Sequence, residues 1–223
     1  NGCEGASVPA TLEIYSLPTS PVTVNQTACL GSLVPDLTAS GTTLTWYSDA
    51  ALTVVVGSGP TFATGQTIAG SYAYYVTESL NGCEGASVPA TLEIYSLPDA
   101  PITTNEVACL GSLVPDLTAS GTTLAWYSDP ALTVVVGSGP TFATGQTTVG
   151  VHTYYGSETD INSCESAGAV VTLEIYSLPD ADFSTPEVCF GEQVLFSNNS
   201  SPNTVDWIYN FADGIGVSDY QNP

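Results

Sequence analysis

Residues 1–18 read NGCEGASVPATLEIYSLP, and the same letters recur unchanged at 81–98. A third version, CESAGAVVTLEIYSLP, occupies 164–179. Outward from these copies, residues 17–76 match 97–156 at 46 of 60 positions, including the unbroken run ACLGSLVPDLTASGTTL. Cys3, Cys83 and Cys164 mark the three copies, and one extra residue enters before the third. A period this long exceeds that of a solenoid repeat and suits a small β-sandwich domain. The Leu-Pro after each TLEIYS run sets the boundary, because proline cannot donate to a sheet and makes a short, stiff link. The chain therefore divides into 1–16 (the C-terminal strands of a truncated module), 17–96, 97–177 and 178–223 (the start of a further module).

Within 17–96 the pattern predicts seven strands, at 21–24, 33–39, 43–48, 52–57, 60–63, 72–78 and 89–95. Alternation places Leu44 and Trp46 on one inward face and Leu92 and Ile94 on another. Tyr74 and Val76 point inward between them, with Tyr75 competing for the place of Tyr74. Gly41, Gly57, Gly59, Gly65 and Gly70 punctuate the segments as turns. Seven short strands with turns this frequent predict an all-β chain of tandem antiparallel β-sandwich modules.

Composition excludes whole classes of function. The 223 residues carry 22 Asp plus Glu, no Lys, no Arg, no Met and one His, a formal charge of -22. Nucleic-acid binding needs a cationic face to displace counterions, and none exists. Adsorption to an anionic membrane fails likewise, and no apolar run reaches the ~18–20 residues that span a bilayer. P-loops, Schiff-base lysines and arginine clamps are unavailable. Disorder is not expected despite the charge, since 43% of the residues are hydrophobic and 9% aromatic.

Six cysteines fall at 3, 29, 83, 109, 164 and 189, and the interval from Cys29 to Cys83 matches that from Cys109 to Cys164 apart from the one extra residue. This spacing predicts one disulfide within each complete module, Cys29–Cys83 and Cys109–Cys164. Cys3 and Cys189 would find partners beyond the sequence. A bridge closing such a loop is worth roughly 4 kcal/mol on a chain-entropy treatment. Without a CxxC pair or a His cluster, zinc is disfavoured. Disulfides imply an oxidising compartment outside the cytoplasm.

The order ACLGS, TASG, LTWYSD or LAWYSD, SGPTFATG, YAYYVTES or HTYYGSET, then NGCEG or NSCES resembles the Ig-like modules of giant secreted Bacteroidota surface proteins, including gliding adhesins of the SprB type. That resemblance covers 1–177 and implies type IX secretion and an extracellular, cell-surface location. It departs from ordinary immunoglobulin domains in that Cys83 follows Tyr75 by eight residues, which predicts a bridge near one end of the sandwich. Residues 178–223 resemble the opening half of a PKD domain, with Trp207 leading into Asn210-Phe211-Ala212-Asp213-Gly214.

No nucleophile elbow or triad is present, and His152 has Tyr72 as its counterpart, so an enzyme is not expected. The carboxylates Asp36/Asp116, Asp49/Asp129, Glu13/Glu93/Glu174 and Glu84/Glu165 recur at module spacing, as scaffold residues do. Calcium is the one cofactor considered, with Asp213 and Asp219 the candidate ligands. Asn25-Gln26-Thr27 and Asn198-Asn199-Ser200 match the glycosylation sequon. The expected function is a non-catalytic, disulfide-stapled spacer in a secreted surface filament or adhesin serving attachment or gliding. Its partners would be neighbouring modules of the chain and surface glycans or other substrata. The alternative is a spacer or glycan-binding array of a secreted polysaccharide-degrading enzyme. A third reading is head-to-tail polymerisation; length argues against it, since the end pieces 178–223 and 1–16 together fall short of a whole module, and intermolecular Cys3–Cys189 bridges would revive it.

Overall fold

A computed structural model describes residues 2–202, 206–210 and 217–218. The described residues contain strands and no helix. In the first repeat these are β1 (Thr23–Val24), β2 (Gln26–Cys29), β3 (Leu37–Ala39), β4 (Leu44–Tyr47), β5 (Val55–Ser58), β6 (Thr61–Phe62), β7 (Gly70–Leu80), β8 (Cys83–Glu84) and β9 (Val88–Tyr95). One sheet has the order β1-β3-β6, and the other β2-β9-β7-β4-β5, with β8 folded back on β7. All pairs are antiparallel except β2 with β9, which run parallel with Cys29 level with Tyr95. Asn25 makes the switch between sheets: its Oδ1 accepts from the Thr91 amide as the chain leaves β1 for β2.

The second repeat reproduces this plan with β10 (Thr103–Thr104), β11 (Glu106–Cys109), β12 (Leu117–Ala119), β13 (Leu124–Tyr127), β14 (Val135–Ser138), β15 (Thr141–Phe142), β16 (Gly150–Glu158) and β17 (Ala169–Tyr176). Its sheets have the orders β10-β12-β15 and β11-β17-β16-β13-β14. In the remainder, β18 (Phe183–Ser184) pairs with β19 (Ser197–Asn198), and β20 (Tyr209–Asn210) with β21 (Val217–Ser218). By compactness the chain forms two units, residues 1–101 with 157–167, and residues 102–156 with 168–223.

Each sandwich closes on a tryptophan. Leu44, Trp46, Tyr74, Val76, Leu92 and Ile94 are buried between the sheets, as the alternation predicts, with Tyr75 only half-buried. Trp46 stacks on Phe62 with ring centroids 5.6 Å apart, and Phe62 meets Tyr74 edge-on at 5.0 Å. Trp46 Nε1 donates to the Gly59 carbonyl at 2.8 Å, and Gln66 Nε2 to Tyr74 Oη at 2.9 Å, so neither aromatic leaves a polar atom stranded. Trp126, Phe142, Tyr154, Gly139 and Gln146 repeat every one of these contacts. Gly57 permits the stack: a Cβ there would lie 2.7 Å from the Phe62 ring, which Trp46 and Tyr74 hold in place.

The duplicated stretch takes two forms. At 81–98 it forms β8 and β9, with Leu92 fully buried; at 2–18 the same residues form no strand, and Leu12 is 86% exposed. At 81–98 the strand is held between β2 and β7.

Gly57→Ala drives a methyl into the clamped Phe62 ring, so the first repeat should lose about 1–3 kcal/mol of stability. Ser58→Ala, on the exposed side of β5, should leave the denaturant midpoint unchanged. Equal midpoints for the two variants in urea unfolding would contradict this packing.

Candidate functional site

One disulfide cross-links the chain, and the elements around its two cysteines set its geometry. Cys29 ends β2, where the Leu30 amide donates to the Tyr95 carbonyl at 2.8 Å and completes the parallel ladder. The next residues turn sharply: Gly31 has φ +82°, and the Ser32 amide and hydroxyl both donate to the Cys29 carbonyl, at 3.0 and 2.7 Å. Cys109-Leu110-Gly111-Ser112 makes the same bonds, with Gly111 at φ +80°. Cys189 heads a third such turn, closed by the Glu192 carboxylate in place of the serine.

The second cysteine of each repeat lies in a hairpin. In the first repeat Asn81 and Gly82, both at positive φ, form a two-residue turn with Leu80 opposite Cys83. In the second repeat the extra residue falls in this hairpin. Thr159 bridges Glu165 around a loop in which Asp160 Oδ1 accepts from the amides of Asn162 and Cys164, at 2.9 and 2.8 Å.

Cys29 is bonded to Cys164, with Cα atoms 5.5 Å apart and a sequence separation of 135. Cys164 is fully buried, while Cys83 and Cys109 are unbonded. The expected within-module bridges Cys29–Cys83 and Cys109–Cys164 are not formed, and register gives the reason. Cys29 is level with Tyr95, beside the Gly70 end of β7, whereas Cys83 folds back from the Leu80 end. β7 has 11 residues, a length of about 33 Å at ~3.3 Å per residue. A disulfide tolerates a Cα separation of at most ~7 Å. The bridge is thus not a staple at one end of a module but a bond between successive repeats. Cys3 and Cys189 are also unbonded and exposed.

Elsewhere several of the recurring carboxylates and His152 have structural partners. Asp49 accepts from the amides of Thr53 and Val54, at 3.1 and 2.9 Å, and closes the turn in which Leu52 has φ +57°. Asp129 does the same with Thr133 and Val134. The Thr53 and Val54 amides hold the Asp49 carboxyl below its usual range, and Val134 foremost holds Asp129. Glu84 accepts from the Tyr47 phenol at 2.6 Å and from the Thr77 hydroxyl at 2.7 Å. Those bonds lower the Glu84 carboxyl and raise the Tyr47 phenol. Ser157 donates to Glu165 in the corresponding place. His152 Nε2 meets the Thr148 carbonyl at 2.9 Å, as Tyr72 Oη meets that of Ile68. The imidazole therefore takes the part of its phenolic counterpart.

Asp213 and Asp219 lie outside the described residues. Among the described residues no three His, Cys, Asp or Glu side chains cluster as a metal site would require. A cavity of about 500 Å³ in the last segment is lined by Phe183, Phe196, Trp207 and Tyr209. Trp207 Nε1 is buried in it without an acceptor among the described residues, where Trp46 has the Gly59 carbonyl.

Comparison with known proteins bears on the two repeats directly. The profile of the family described as "Ig-like domain CHU_C associated" matches residues 18–95 and again 98–176. The chain belongs to this family. It carries the Ig-like domain twice in tandem, a domain type that is generally non-catalytic. No curated protein matches significantly. The chain is similar to the solved fibronectin(III)-like modules of Clostridium thermocellum CbhA, at 15% identity over 70% of this chain and 94% of that one, with a TM-score of 0.40. It is also similar to three N-terminal domains of the bacteriophage RB49 highly immunogenic outer capsid protein, at 15% identity over 84% and 74%, TM-score 0.35. A SusE-like surface located polysaccharide binding protein of Bacteroides thetaiotaomicron matches at 10% identity over 74% and 36%, TM-score 0.30. Scores this low carry no argument about function.

A carboxyl whose folded pKa lies below its unfolded value stabilises above the ordinary carboxylate range, and that stability is lost as pH falls through the folded value. Asp49→Asn with Asp129→Asn should therefore lower Tm at pH 7 and flatten its decline below about pH 4. Sodium chloride at ~0.5 M, where screening extends only a few ångströms, keeps relief of the -22 charge from masking the effect. Parallel Tm–pH curves for variant and parent would contradict the capping role.

Proposed function

We propose that this chain is a non-catalytic spacer segment of a secreted cell-surface protein, a filament or adhesin that serves attachment or gliding. The observation that carries this reading is the Cys29–Cys164 bond, which ties one Ig-like repeat covalently to the next. Such a bond suits a load-bearing element outside the cytoplasm, where disulfides persist. It closes a loop of 135 residues, and on a chain-entropy treatment it removes about 5 kcal/mol of freedom from the unfolded chain. Tension applied at the two ends passes through the sulfur atoms and spares the residues between them.

The acidity fits the same setting. With no Lys or Arg the chain offers trypsin-like proteases no cleavage site, and its charge of -22 repels anionic envelopes. The carboxylates of Asp49, Asp129 and Glu84 serve turns and strand ends, not a reacting centre. Type IX secretion, a calcium site at Asp213 and Asp219, and contact with surface glycans belong to this reading as its extensions.

Immunogold electron microscopy of intact producing cells, with antibody raised against residues 97–177, tests it. Label on fibres projecting from the surface is the expected result. Label confined to soluble material in the medium would overturn the surface reading and favour a secreted enzyme complex.

A further inference from the structure

The unbonded cysteines are placed as the bonded pair is. Cys109 stands on the same Cys-Leu-Gly-Ser turn as Cys29, at the end of the parallel strand β11, level with Tyr176. It is exposed, and a hollow of about 200 Å³ opens beside it, lined by Cys109, Ser112, Val114, Gln146 and Thr147. Cys83 sits in the same hairpin position as Cys164, at the far end of β7 from the opening cysteine of its own repeat. One cysteine of each kind is thus already committed to the neighbouring repeat, and within the two complete repeats Cys109 and Cys83 are left.

We propose that Cys29–Cys164 is one rung of a staggered ladder, in which the opening cysteine of every repeat bonds the closing cysteine of the repeat that follows it. On this rule Cys109 takes the closing cysteine of a further Ig-like repeat C-terminal to its own, and Cys83 takes the opening cysteine of one N-terminal to its own. Each rung forms when two thiols give up their protons and pass two electrons to a disulfide oxidant, such as oxidised glutathione, which leaves as two thiols. The rungs at Cys83 and Cys109 both start inside the loop closed by Cys29–Cys164, so successive loops overlap. A single backbone break anywhere in the overlapped region leaves the two ends covalently joined. The ladder is a statement about pairing and stands or falls apart from the cell-surface reading.

The test is a chain lengthened by a second copy of residues 97–177 inserted after Ser177. In the inserted copy Val107→Ile and Ile161→Val, at positions 59% and 98% exposed, give its cysteine peptides distinct masses. After oxidation in glutathione buffer and alkylation, unreduced digestion with a glutamate-specific protease and mass spectrometry reads the pairing. The expected map has Cys29 bonded to the original Cys164, and Cys109 bonded to the closing cysteine of the inserted copy. A Cys109–Cys164 bond within one repeat would overturn the proposal. So would an alkylated Cys109 in molecules that carry the Cys29–Cys164 bond, or a bond from Cys109 to a second molecule only. If the lengthened chain does not form Cys29–Cys164, a copy of residues 17–96 with Val22→Ile and Leu80→Val, at positions 70% and 51% exposed, is inserted ahead of Leu17 instead, so that both of its cysteine peptides differ in mass from the originals. There Cys83 is expected to bond the inserted opening cysteine, and a free Cys83 or a bond to Cys29 of its own repeat refutes the ladder.

Discussion

The parallel pairing of β2 with β9 is the constraint on which the rest depends. Paired antiparallel with β9, the segment after β1 would run the opposite way and carry Cys29 away from the Tyr95 end. Pairing Gln26–Cys29 with Leu92–Tyr95 fixes its direction and carries Cys29 to the end where β9 leaves the domain. The hairpin that carries the second cysteine lies at the other end of β7. Once the register is set, no side-chain motion can close a bond between Cys29 and Cys83 within the repeat. The disulfide therefore follows from sheet topology more than from cysteine chemistry.

Much of this was legible in the sequence. The repeat period, the inward Trp46, Leu92 and Ile94, the paired structural role of His152 and Tyr72, and the recurrence of the carboxylates all follow from pattern and count. The cysteine pairing did not. Gln26–Cys29 is a short strand with a polar start and no alternation strong enough to mark it, so Cys29 read as a loop residue ahead of the next strand. The near-equal intervals Cys29 to Cys83 and Cys109 to Cys164 then suggested a bond within the period, although a bond across it has the same regularity.

The absence of Lys and Arg shapes how the scaffold holds its charges. Carboxylates with no cation to pair with are bonded to amides at turns, as at Asp49 and Asp129, or to hydroxyls at strand ends, as at Glu84 and Glu78. Glu78 takes the Thr42 amide and hydroxyl, which hold its carboxyl below the usual range. Polar groups that would signal chemistry in another protein are here the fasteners of turns.

Disulfide mapping of the native chain tests the central claim most directly. Unreduced digestion after glutamate should release the fragment 14–78, which contains Cys29, joined to 159–165, which contains Cys164. Fragment 14–78 joined instead to 79–84, which contains Cys83, would show a bond within the repeat and contradict the register from which the account is built.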